Sequence, residues 1–178
     1  SAIANPTYGD LQEANKLIRQ AQRHKELPLI IHSVPLDRLS MGAFTDAWAV
    51  RPDGSSQGGY IIYFADQRLL DGEEAPVSVM DWKSWKLKRK ARSSLAAESQ
   101  AMADATDILN YLRLFFVECL AEKGLDLRRT DEVLAMCPPA YVITDCKCLF
   151  DALERSETAG LGLAERRTSI EVAATRDS

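Results

Sequence analysis

AFTDAWAVRPDGSSQGGYIIYFA, residues 43–65, reads as two strands joined by a turn rich in Gly, Pro and Ser. Side chains alternate along a strand, so Phe44, Asp46, Trp48 and Val50 share one face. Asp46 thus stands between two large aromatic residues, on a face that reads as core. Burying an unpaired carboxylate costs several kcal/mol, so an acid there needs a cation or a proton.

Working outward, Asp10 with Glu13 resembles a capping pair, and Leu11, Ala14, Leu17, Ile18 and Ala21 form a helical stripe behind it. Leu27 to Val34, between two prolines, reads as a strand or an extended link. Met41–Val50 and Gly58–Ala65 are the two strands of the opening stretch, and Val77–Trp82 is a third. A long helix is expected over Ser94–Ala121, with its stripe on Leu95, Glu98, Met102, Ala105, Leu109, Leu112, Phe116 and Cys119. A polar linker, KGLDLRRTDE, leads to a short apolar strand, YVIT, and then to the helix DCKCLFDALERS. Beyond Gly160 and Gly162 a weakly amphipathic segment spans Leu163–Arg176. Two hairpins followed by a helical crossover imply an α/β fold with a mixed sheet, three antiparallel strands then a parallel one, flanked by helices.

Two more acids stand out. Glu98 falls on the apolar stripe of the long helix, and the spacing refuses a capping box, since Ala96 and Ala97 lie three residues after Ser93 and Ser94. The helix dipole favours an acid near the N-terminus by ~0.3–1 kcal/mol, which does not explain the core-facing side. Asp145 ends the strand YVIT and opens a helix, a position that suits an N-cap and also a site at a strand's C-terminal end. If these strands are neighbours and the long helix crosses them, three carboxylates converge and require a counter-charge. Hard oxygen donors without histidine or thiol point to Mg²⁺ or Mn²⁺, and a pair of such ions suits phosphodiester hydrolysis. The remaining acids, among them Asp53, Asp66, Asp104, Asp107, Asp151 and Glu154, read as solvated or turn residues.

The segment KSWKLKRKARSS carries Lys83, Lys86, Lys88, Arg89, Lys90 and Arg92, and it leads directly into the helix of Glu98. A basic loop beside an acidic cluster is what a nuclease needs, cations for the phosphates and carboxylates for the metal. Trp82 and Trp85 offer stacking on sugars or bases, or core packing, and Trp82 is assigned to the core.

The bulk numbers agree with a soluble globular protein: 178 residues, 46% hydrophobic, 27% charged, net charge −4. No apolar run approaches the length that spans a bilayer, so no membrane partner is expected. The four cysteines form no CxxC pair and lie far from both histidines, which argues against a zinc site or disulfide framework and for an intracellular setting.

Three of these stretches, FTDAWAVRPDGSSQGGYIIYF, VSVMDWKSWKLKRKARSSLAAESQA and YVITDCKCLFDAL, in this order and with these acids, resemble the RNase H domain of copia-type retrotransposon polyproteins. NPTYGDLQEANKLIRQAQRHKELPLIIHSVP is similar to the stretch between reverse transcriptase and RNase H. The resemblance covers most of the chain and implies a connecting segment over residues 1–37 and an RNase H-like domain over residues 38–178. It implies two-metal hydrolysis of the RNA strand of an RNA–DNA hybrid, with Asp46, Glu98 and Asp145 as the first three catalytic acids. The implied partners are the hybrid and the reverse transcriptase of the same polyprotein, in the cytoplasm or in virus-like particles. The family's fourth aspartate follows a fifth strand. The expectation here is a domain that lacks that strand and the last helix, with Glu171 not taking the role. The alternative is a catalytically inactive module of the same fold that binds nucleic acid or docks on the polymerase.

Overall fold

The computed structural model describes residues 6–48, 55–121, 124–126 and 128–154. The chain divides into two compact units, Ser1–Ile30 and Ile31–Ser178. In the first, helix α1 spans Tyr8–Arg23. Its cap is Thr7, whose hydroxyl accepts the Asp10 N–H at 3.2 Å while the Asp10 carboxylate accepts the Thr7 N–H at 2.8 Å. Asp10 is therefore the far member of the capping box and not its start, and Glu13 instead pairs with Lys16. Nothing in α1 is buried. Leu27 to Val34 contains no strand.

The second unit is built on a sheet of β1 (Leu39–Trp48), β2 (Gln57–Asp66), β3 (Val77–Lys86) and β4 (Ala140–Thr144). The strand order is β3-β2-β1-β4. β1 to β3 are antiparallel and β4 runs parallel to β1. Helices α2 (Ser94–Leu120), α3 (Thr130–Met136) and α4 (Lys147–Glu154) complete it, a mixed α/β architecture compatible with an RNase H-like fold. A parallel partner cannot be reached by a tight turn, so the chain returns to β4 through α2 and α3. α3 begins in the last three residues of the expected polar linker and runs beyond it to Met136. Val50, Asp53, the segment expected over Leu163–Arg176 and Glu171 lie outside the described residues.

Helix α2 starts where Ser93 accepts the Ala96 N–H at 3.1 Å, a cap without a reciprocal glutamate. Its Ala105 and Leu109 pack on Met41, Ala43, Tyr60 and Ile62, the centre of the core. Met102 reaches Leu149 of α4. Alternation with Asp46 places Phe44 and Trp48 on a face expected to be core, and the structure corrects that expectation. Met41, Ala43 and Thr45 are the buried face of β1, while Phe44 and Trp48 are 48% and 70% exposed. Alternation sorts residues between two faces, but it does not say which face the helix covers. Asp66 was read as solvated and is buried instead, paired with Arg38 and Arg68 and capping a short 3₁₀ turn, Gln67–Asp71.

Candidate metal centre

β1 and β4 are parallel neighbours in register at Thr45 and Thr144, and the Thr45 hydroxyl donates to the Ile143 carbonyl at 3.4 Å. The next residue on each chain is an acid. Asp46 and Asp145 therefore emerge side by side where β4 stops. Asp145 does not cap α4. That helix begins at Lys147, and the Thr144 hydroxyl accepts the Cys146 N–H at 3.1 Å. The strand-end position is legible in the sequence, and the Thr144 bond closes the turn between β4 and α4.

Glu98 arrives from the second turn of α2. It is 6% exposed, whereas Asp46 and Asp145 are exposed. One carboxylate oxygen from each of the three lies within 4.8 Å of the others. No second group of His, Cys, Asp or Glu is so arranged among the described residues. The expected convergence is therefore present, although Asp46 reaches it from the open face of the sheet and not from within the core.

Burial first, then the neighbouring Asp46 and Asp145 charges, push Glu98 up to about 7, against a hydrogen bond donated by the Ala47 backbone N–H. Ala47 was not singled out in the sequence, because nothing in a strand alanine signals that its amide will serve a carboxylate. Glu98 Oε2 is buried with no hydrogen-bond partner. A buried, unpartnered carboxylate oxygen beside two further carboxylates fits a divalent cation bound by hard oxygens. The three acids are thus suited to hold one.

Beside the acids the sheet is open. A cleft of about 640 Å³ is lined by Phe44, Asp46, Gly59, Ile61, Trp82 and Asp145 among others. Trp82 was assigned to the core and is 64% exposed in this cleft. Trp85 is the tryptophan that packs inward, its ring 5.5 Å from Tyr60. The two differ by three residues on a strand, so they fall on opposite faces. Tyr60, buried by Trp85 and the sheet, donates to Asp81 at 2.8 Å and is pushed up to about 12, mainly by burial.

The basic segment is only partly a loop. β3 runs four residues further than expected, so Lys83 and Lys86 are strand residues, with the Lys83 ammonium 5.4 Å from the centre of the Trp85 ring. Lys88, Arg89, Lys90 and Arg92 follow in the connection to α2, and all six cations are exposed. Among the described residues no helix is long and apolar enough to cross a membrane. Compared with known proteins, the chain matches no family model and no curated protein.

Proposed function

We propose that the chain is a ribonuclease H domain that hydrolyses the RNA strand of RNA–DNA hybrids with two Mg²⁺ or Mn²⁺ ions, during retrotransposon reverse transcription. The observation that carries this reading is the meeting of Asp46, Glu98 and Asp145 within 4.8 Å. When bound, such ions supply water activation and stabilise charge on the leaving oxygen. The chain's own residues do the rest. Asp46 and Asp145 offer oxygens from the solvent side, where a phosphate can approach. Glu98 closes the buried side, held by the Ala47 N–H. The exposed cations from Lys83 to Arg92 supply the charge that holds a phosphate backbone.

The test is cleavage of a labelled RNA–DNA hybrid in Mg²⁺ or Mn²⁺, by this chain and by a longer form that supplies a fourth aspartate. Cleavage that needs the metal and disappears in Asp46→Asn supports the enzyme. Hybrid binding without cleavage by either chain sinks it and leaves a binding module. Tight binding to the reverse transcriptase with no affinity for hybrid leaves a docking module.

A further inference from the structure

Leu87 interrupts the run of cations with a buried side chain. It is 6% exposed, and its N–H donates to the Ser56 carbonyl at 2.9 Å. Together with Ala91, 3% exposed, it packs on Ala96 and Ala97 of α2, joined by Ala47 and Trp85. The cations flank these two pins: Lys86 before Leu87, three residues between the pins, Arg92 after Ala91. The same small cluster touches the acids through the backbone. Ala47 follows Asp46 and donates to Glu98, and Ala97 directly precedes Glu98.

Gly58 lies at the centre of this arrangement. It pairs with Ala47 on one side and with Trp85 on the other. A Cβ at position 58 would meet Leu87 Cδ2 at 2.9 Å, Trp85 Cζ2 at 3.0 Å and Ala101 Cβ at 3.3 Å. The bare backbone at Gly58 is what lets Leu87 seat.

We infer that Gly58 and Leu87 are positioning residues, which hold the basic segment Lys88–Arg92 at a set place beside the carboxylates so that one phosphate backbone meets both. This rests on the ribonuclease reading only for the identity of the polyanion. A Cβ at 58 forces the Leu87 side chain to move, since Cδ2 is the atom it meets most closely. On this inference the cations beside that pin move with it, while the acids stay on β1, β4 and α2. The loss therefore falls on substrate binding and on the number of phosphates met, not on metal affinity.

The experiment compares the wild type, Gly58→Ala, Leu87→Val and the Gly58→Ala/Leu87→Val pair. Hybrid affinity is read without divalent ions across a salt series, Mn²⁺ affinity by calorimetry, and folding by circular dichroism. Gly58→Ala is expected to weaken hybrid binding about tenfold and to lower the salt slope by about one, with Mn²⁺ affinity within about twofold of wild type. Leu87→Val removes the Cδ atom that the new Cβ meets, so the pair recovers most of the loss, a coupling between neighbours that independent sites do not show. Wild-type affinity and slope in Gly58→Ala overturn the inference, as does a pair no better than the single variant. Should Gly58→Ala fail to fold, Leu87→Val alone carries the test, with a lower slope expected and an unchanged slope overturning the idea. A wild type that binds hybrid but never cleaves it removes the ribonuclease reading and leaves this inference standing. A wild type that cleaves while Gly58→Ala binds unchanged does the reverse, and a wild type that binds no hybrid overturns both.

Discussion

Along β1 every residue from Leu39 to Gly42 is buried, and beyond Gly42 the two faces meet different fates. Met41, Ala43 and Thr45 lie under α2, while Phe44, Asp46 and Trp48 face the open side. The bulkier aromatic residues are the exposed ones. A helix needs close approach to seal a sheet, and Ala43 against Ala105, both fully buried, permits it. The open side is where the Asp46 carboxylate stays in contact with solvent. Of the three acids, Glu98 alone is buried, and burial is the first cause that pushes it up to about 7.

The sharpest way to break this contrast is Asp46→Asn. On the proposed function, hybrid cleavage falls by more than the ~10–100-fold typical of a residue that merely supports a ligand. Thermal stability without metal is kept or raised, because a like charge beside Glu98 is gone. Unchanged Mn²⁺ affinity in calorimetry would remove Asp46 from the centre. On the covered face, Leu109→Ala is expected to cost about 2–5 kcal/mol in denaturant unfolding, since Leu109 is 2% exposed in the main core. A cost under about 1 kcal/mol would mean that α2 does not seal that face as described.

Smaller, and carried by the one buried acid, is a pH dependence. Between the ordinary 4.5 and about 7, folded Glu98 keeps a proton that the unfolded chain has lost. Its contribution is thus fullest below about 4.5 and fades as pH rises through about 7, by on the order of 1–3 kcal/mol. Chemical denaturation of the metal-free protein across this range should show the decline, and Glu98→Gln should flatten it. A wild type as stable at pH 8 as at pH 5, by comparison with Glu98→Gln, would count against the buried, unpartnered carboxylate. The smallest effect is expected on the open face. Trp82→Ala should change stability by no more than about 0.5 kcal/mol, because its side chain is mostly in solvent already. A loss of 2 kcal/mol or more would show that something covers the cleft in solution.

Much of the architecture was legible because it is periodic. The α2 stripe is buried at Glu98, Met102, Ala105 and Leu109, half-buried at Leu95, Leu112 and Phe116, and exposed at Cys119. The β1–β2 hairpin is announced by alternation around a turn. α3 was missed because seven residues, starting in a charged tract, are too few for a period to emerge. The end of β3 is hidden because Lys83 and Lys86 open a run of cations that looks like a loop, although an edge strand tolerates them well. Asp66 was missed because its partners, Arg38 and Arg68, are not marked as partners by any local pattern.

The sequence alone determined which acids were out of place: Glu98 breaks an apolar helical stripe, Asp46 breaks an aromatic strand face, and Asp145 ends a strand. Those are local facts, written in periods of 3.6 and 2. Only the tertiary structure decided that the three meet, and that Asp46 is solvated while Glu98 is not. The parallel register of β1 and β4 brings Asp46 and Asp145 level, and the packing of α2 selects one sheet face. Register joins Thr45 to Thr144 and face joins Ala43 to Ala105, contacts between residues far apart in sequence that no local period records.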